Sequence, residues 1–407
     1  MKFESLTKAL QDCLVFPYRL GYRQQTTKMG FYRSKTSTLV LVLYLLSLLN
    51  KFETKHNTHH SHPHHKHSHS FVTNTRLNQA YIALQAWKKV IYSDPTNFTS
   101  NWVGSSVCSY RGIFCAPAID DNSTTVVASI DLNHLDLAGF LPDELGLLTD
   151  LAVIHINSNR FCGIVPLTLS NLTHLYELDL SNNRFVGPFP SVVLSLPSLK
   201  YLDLRYNEFE GAVPSELFNN KSLDAIFVNN NRFTSVIPSN LGMSTASVVV
   251  FANNRFGGCL PPSIANFANS IEELLLINTS LTGCLPVEVG YLYKLRVLDV
   301  SYNQLVGPIP YSIAGLAHLE QLNLGHNMMS GEVSDGICVL PNLANFTLSY
   351  NFFCEEEGLC SNLTSKGTLF DDRWNCLPGK KLQRSKKVCD AILDHPVECE
   401  DFHCQSS

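Results

Sequence analysis

The sequence predicts an α/β solenoid of about ten short repeats, closed by disulfide-bearing caps at its N- and C-terminal ends. Apolar residues recur with a spacing of 24 from Val127 onward, and asparagine returns at one fixed position of most repeats. Cysteines gather in the segments that flank this array. A fixed period of this length marks units that cannot bury their apolar face alone and must stack.

Each unit reads L-x-x-L-x-L-x-x-N-x-L-x-G-x-x-P. The units begin at Val127, Leu151, Leu175, Leu199, Leu223, Ala246, Ile271, Leu295, Leu319 and Leu343, 24 residues apart with one spacing of 23 and one of 25. Eight of the ten place asparagine ninth (Asn159, Asn183, Asn207, Asn231, Asn254, Asn303, Asn327 and Asn351), while Leu135 and Thr279 replace it in the other two. These are leucine-rich repeats. The fourth and sixth positions, such as Leu178 and Leu180, point inward from a short strand, and positions three, five, seven and eight face outward. The asparagines are expected to satisfy backbone groups that tight turns leave unpaired. Gly-x-hydrophobic-Pro follows, with Pro142, Pro166, Pro190, Pro214, Pro238, Pro261, Pro286 and Pro310, and Ser334 stands in the proline's place in one late unit. This variant resembles the plant-specific class of such repeats.

Before the array, "LNQAYIALQAWKKVIYSDP" has Leu77, Ala80, Tyr81, Leu84, Trp87 and Ile91 at helical spacing and stops at Asp94-Pro95. This amphipathic helix, with Trp102, Cys108 and Cys115, is expected to cover the first rung, and the two cysteines to pair. The expected division is a leader over 1–49, a histidine-rich spacer over 50–73, an N-terminal cap over 74–126, repeats over 127–353 and a cysteine-rich C-terminal cap over 354–407.

The apolar run Leu39 to Leu49 follows Lys28, Arg33 and Lys35 and is about half the length needed to span a bilayer, which is the pattern of a secretory signal. Met29 opens a conventional start, so 1–28 reads as an upstream extension, and cleavage is expected between Leu49 and Lys55. Leaving out residues 1–49, with seven Lys/Arg and two Asp/Glu, turns 30 against 35 into 23 against 33. That negative balance argues against nucleic acid and for neutral or basic partners. Setting aside Cys13 leaves twelve cysteines of the thirteen, an even number that fits disulfides in a secreted chain. Glycosylation sequons at Asn97, Asn122, Asn171, Asn220, Asn278, Asn345 and Asn362 agree. The tract "HNTHHSHPHHKHSHS" holds His56, His59, His60, His62, His64, His65, His67 and His69 with almost nothing apolar, and reads as a solvated spacer.

Cys259 and Cys284 share the fourteenth position of adjacent units. Rungs of a parallel sheet lie about 4.8 Å apart, within disulfide reach, so this pair is expected to be bridged. Cys338 with Cys360, and Cys399 with Cys404, are candidate pairs in the C-terminal cap, and Cys162 has no partner in its column.

No catalytic constellation is present: His155 and His326 lie on different rungs without a partnered base, so neither enzymatic activity nor a cofactor or metal is expected. The outward face is more informative. The fifth position carries Asp131, His155, Asp179, Asp203 and Phe227, and with Glu177, Tyr201, Arg205, Tyr206 and Asn229 added, rungs three to five form an acidic and aromatic strip suited to a basic peptide. Changing Asp179 and Asp203 together to lysine is expected to weaken that contact without unfolding the domain. Val248, Val250, Leu275 and Ile277 add apolar groups where solvent is expected.

"NWVGSSVCSYRGIFC", "NSNRFCGIVP", "LPNLANFTLSYNFFC", "DDRWNCLPGKKLQRSKKVC" and "HPVECEDF" resemble the N-terminal half of the leucine-rich repeat extensin family of plant cell walls, over about Leu77 to Cys404. The resemblance implies a secreted wall protein whose repeats bind basic, cysteine-containing signalling peptides, the rapid alkalinization factors. It also implies links to malectin-like receptor kinases and to cell-wall polysaccharide. No Ser-Pro-Pro-Pro repeats are present, so wall cross-linking is not implied. The second reading is an inhibitor of pathogen wall-degrading enzymes, similar to polygalacturonase inhibitors.

Overall fold

The computed structural model describes residues 74–395 together with Val397 and Cys399. The apolar run, the histidine tract, Cys13 and Cys404 lie outside the described residues.

Helix α1 (Thr75–Val90) opens the fold. Its N-cap Asn74 accepts hydrogen bonds from the Arg76 and Leu77 amides, which closes two of the donors a helix start leaves open. Just beyond its far end, Asp94 holds the Phe98 and Thr99 amides, each at 2.8 Å. The buried stripe Ala80, Ala83, Leu84 and Trp87 is the apolar face of the sequence pattern. Trp87 packs on Trp102 and Phe161 at 6.2 and 5.7 Å between ring centroids, and so joins the helix to the repeats. The expected Cys108–Cys115 disulfide is present.

A continuous sheet of 12 strands follows, in sequence order: β1 (Ile113–Pro117), β2 (Thr125–Asp131), β3 (Val153–His155), β4 (Glu177–Asp179), β5 (Tyr201–Asp203), β6 (Ala225–Phe227), β7 (Val248–Val250), β8 (Glu273–Leu275), β9 (Val297–Asp299), β10 (Gln321–Asn323), β11 (Asn345–Thr347) and β12 (Leu369–Asp371). Only β1 is antiparallel, so it finishes the first edge. One residue of each repeat strand from β3 onward points inward: Ile154, Leu178, Leu202, Ile226, Val249, Leu274, Leu298, Leu322 and Phe346 are buried. Each such side chain contributes about 2 kcal/mol by leaving water, which no single rung can realise alone.

The asparagines bind the rungs together. Asn183 is typical: its Oδ1 accepts from the Phe161 amide of the preceding rung at 2.9 Å, and its Nδ2 donates to the carbonyls of Ile156, Leu180 and Ser181. Asn159, Asn207, Asn231, Asn254, Asn303, Asn327 and Asn351 repeat this, and Asn375 continues it inside the C-terminal cap, where it accepts from the Phe353 amide at 3.2 Å. The donors in mid-array belong to a buried column, Phe161, Phe185, Phe209 and Phe233. Phe185 to Phe209 and Phe209 to Phe233 each stack at 6.3 Å.

A second sheet backs this column and is split, into one piece of five strands and another of four. The split falls between Arg232–Phe233 and Thr282–Cys284, where Thr279 replaces asparagine. Thr279 uses its hydroxyl to reach the Leu276 carbonyl, and the Phe amide series skips Phe256. Gly257 and Gly258, both at φ near 65°, carry the chain around this gap.

The gap separates two cysteines that were expected to pair. Cys284 is bonded to Cys399, with Cα atoms 5.7 Å apart, and Cys259 takes part in a different disulfide. The expected Cys259–Cys284 pair assumed an unbroken column, whereas no strand forms at Cys259. The candidate Cys399–Cys404 pair falls with it, because Cys399 is taken by Cys284. Gly307, at φ 73°, makes the bond to Cys399 fit, because a Cβ there would lie 2.4 Å from the Cys399 sulfur. Cys338–Cys360 is present, as the sequence suggested, and Cys376–Cys389 secures the helix Lys386–Leu393 of the C-terminal cap. Cys162 is also disulfide-bonded, and Cys354 is the free cysteine among the described residues. Ser334, in place of proline, caps the short helix Asp335–Cys338 by accepting from the Gly336 amide.

Candidate functional site

The outward positions of β2 to β6 stand in register. Asp131, His155, Asp179, Asp203 and Phe227 are successive partners across the sheet, and Glu177 pairs with Tyr201 beside them. Arg205, Tyr206 and Asn229 follow in the turns that leave β5 and β6. The fifth-position acids also shape the turns that follow them. Asp179 Oδ1 accepts from the Ser181 amide and hydroxyl, and Asp131, Asp203 and Asp299 hold the amide two residues on in the same way. Such turns need a short acceptor side chain, which is why Asp and Asn recur there.

The strip is less uniformly acidic than its composition. His155 Nε2 lies 2.9 Å from Glu177 Oε2. Burial disfavours the His155 cation, but the Glu177 hydrogen bond and the charges of Glu177, Asp179 and Asp131 raise its pKa above the ordinary value. Asp203 is fully buried, contrary to its expected place on the open face. Its Oδ2 meets the Arg205 guanidinium at 2.8 Å and accepts from the Tyr201 hydroxyl at 3.2 Å. Burial and the neighbouring Asp179 push its carboxyl up to about 7, against the pull of Arg205. Arg205 in turn lies over the Phe227 ring at 5.0 Å, and Tyr201 packs against Phe227 at 5.5 Å. Asn229 is buried with its side-chain oxygen unpartnered among the described residues. Asp131 and Asp179, each with Oδ1 tied to its own turn and Oδ2 left over, thus flank an aromatic floor beside which the Asn229 oxygen is buried.

Both raised groups act on stability with one sign. Asp203 favours its protonated form when folded, so its contribution is complete below the unfolded value near 4 and is lost as pH rises through about 7. His155 contributes fully below about 6.5 and loses that contribution as pH passes its raised value. The thermal midpoint is therefore expected to fall by about 4 °C between pH 5 and pH 8. Asp203→Asn should flatten that fall in calorimetry, and an unchanged slope would mean that the pair titrates outside this window.

The sequence-level lysine test at Asp203 is corrected by its burial, because a lysine there would sit opposite Arg205 with no room in solvent. Val250 is likewise 9% exposed and belongs to the floor of the face. Sequence reasoning passed over a further column at the eighth position, where Tyr302, His326, Tyr350 and Trp374 all adopt left-handed backbone. Their rings stack in sequence at 4.1, 4.1 and 5.7 Å. The 24-residue spacing from Tyr302 to Trp374 was the signal for it. Among the described residues, no helix is long and apolar enough to cross a membrane, and no cluster of His, Cys, Asp and Glu is placed to hold a metal.

The leucine rich repeat family model matches residues 149–209, 173–233 and 269–329, and the leucine rich repeat N-terminal domain model matches 77–116. Leucine-rich repeat extensin-like protein 6 of Arabidopsis thaliana is 59% identical over 333 residues, which cover 82% of this chain and 70% of that protein. Pollen-specific leucine-rich repeat extensin-like protein 2 of the same plant is 71% identical over 82 residues, 20% of this chain but only 10% of the relative. Among solved structures, the PEPR1–AtPEP1 complex is similar with a TM-score of 0.64 at 27% identity, covering 74% of this chain and 45% of that one. The plant peptide hormone receptor RGFR1 in complex with RGF2 is similar with a TM-score of 0.59 at 26% identity, covering 62% of this chain and 40% of that one. With the solenoid, its caps and these matches together, the chain belongs to the leucine-rich repeat extensin-like family.

Proposed function

We propose that this chain is a secreted plant cell-wall protein that binds a basic signalling peptide, of the rapid alkalinization factor type, on β3 to β6. The observation that carries this is the arrangement around Phe227: an aromatic floor with Tyr201 and Arg205, and the carboxylates of Asp179 and Glu177 at its side. A peptide laid across these strands would place an apolar side chain on the rings and set its cations against the carboxylates. RGFR1, a similar repeat protein, is a plant peptide hormone receptor solved in complex with RGF2, which supports the reading. The protein acts as a binding partner rather than as an enzyme, and reaches malectin-like receptor kinases through that peptide.

The test titrates the purified secreted protein with basic, cysteine-containing peptides and, separately, with a fungal polygalacturonase. Micromolar or tighter peptide binding is expected, weakened about tenfold or more by Glu177→Lys combined with Asp179→Lys, since charge reversal opposes the cationic ligand. Both positions are partly exposed, so the variant should keep the wild-type circular dichroism. Inhibition of the polygalacturonase without peptide binding would replace this reading by the enzyme-inhibitor one.

A further inference from the structure

A second concavity lies away from the strip, between β9, β10 and β11 and the cap segment that leads into β12. It has a volume of about 600 Å³. Its wall includes Gln321, Asn345, Thr347 and Thr364, with Leu369 and Phe370 from the cap. The side chains of Gln321, Asn345 and Thr347 make no hydrogen bond to the described residues. Leu369 is 73% exposed.

Two carboxylates also border the space, but each is already engaged. Asp299 accepts from the Ser301 amide and hydroxyl and from Asn323 Nδ2, and Asp371 is paired with Arg373 at 2.7 Å. An acidic ligand would face both of them, and a cation would find both already hydrogen-bonded. What is left over is a set of neutral groups that can donate and accept together, beside an apolar ledge. Vicinal hydroxyls above a hydrocarbon ring face are complementary to such a set.

Asn345 carries a further sign. It begins the sequon Asn345-Phe346-Thr347, in which Phe346 is fully buried, so the two polar residues stand on the same outward side of β11. We propose that this concavity seats a neutral saccharide, held by Gln321, Asn345, Thr347 and Thr364 against Leu369 and Phe370. Its source is either a glycan rooted on Asn345 or a free neutral oligosaccharide. In the rooted case the Asn345 amide nitrogen, before β11 folds, displaces a lipid-linked pyrophosphate from C1 of an oligosaccharide donor and gives up one proton.

The experiment uses the full chain secreted from a eukaryotic host. Glycopeptide mass spectrometry first establishes whether Asn345 is occupied. If it is, enzymatic release of that glycan from the native protein is expected to be about tenfold slower than release from the exposed Asn97 or Asn122, because a seated sugar must first leave its contacts. Gln321→Ala and Leu369→Ser should each bring the rate toward that of the exposed sites. If Asn345 is unoccupied, neutral gluco-, xylo- and manno-hexasaccharides are titrated by nuclear magnetic resonance. At least one should bind at millimolar concentration or better, and Gln321→Ala with Leu369→Ser should abolish it. Release as fast as at the exposed sequons, or no binding by the unoccupied protein, overturns the proposal. Peptide affinity is measured on the same variants and should not change, so this proposal and the peptide reading fail separately.

Discussion

Replacing Cys284 and Cys399 together by serine is expected to lower the unfolding free energy by about 4 kcal/mol, read from guanidinium unfolding followed by circular dichroism. The bridge spans 115 residues, so in the unfolded chain it removes more freedom than Cys108–Cys115, Cys338–Cys360 or Cys376–Cys389. Opening Cys108–Cys115, separated by 7, should cost about half as much on the same entropic argument. Gly307→Ala offers an independent check, because its new methyl would meet the Cys399 sulfur. That variant should show a detectable free thiol or a loss of stability while the rest of the array stays folded. If the double serine variant unfolds like the parent, the bridge does not secure the cap.

Asn303→Ala is expected to destabilise the protein by about 3–5 kcal/mol, more than the same change at Asn207. Asn303 accepts from the amides of Thr279 and Leu281, and donates to the carbonyls of Leu276, Val300 and Ser301. Elsewhere an asparagine on the adjoining rung donates to several carbonyls and accepts an amide, whereas Thr279 supplies one hydroxyl, spent on the Leu276 carbonyl, so Asn303 also takes the Thr279 amide. Removing it strands several buried backbone groups at the place where the second sheet is already interrupted. Hydrogen exchange should show the loss centred on Leu276 to Leu281, and a uniform loss along the array would contradict this account.

Much of the fold was legible because its determinants are periodic. The repeat starts, the asparagine column and the inward apolar positions all follow from stacking identical units, and α1 follows from its spacing and its Asp94-Pro95 stop. Asn375 was equally legible, since it falls 24 residues after Asn351, but the poor leucine pattern around it hid the continuing rung. The errors arose where periodicity lapses. Cys259 and Cys284 share a column only on paper, because Thr279 and the Gly257-Gly258 pair break the ladder between them. Asp203 looked like every other fifth-position acid, and nothing local signals that Arg205 and Tyr201 fold over it. The concavity beside β11 is made by a return of the chain, which no single repeat encodes.

The split second sheet also has a mechanical meaning. A solenoid with one continuous flange and one cut flange does not resist bending equally in both senses. A load that pulls the backing rungs apart meets no strand ladder between Arg232–Phe233 and Thr282–Cys284, so opening is expected to begin there. The twelve-stranded side would then act as a hinge leaf, with the Asp131 to Phe227 strip on one arm and the Cys284–Cys399 clasp on the other.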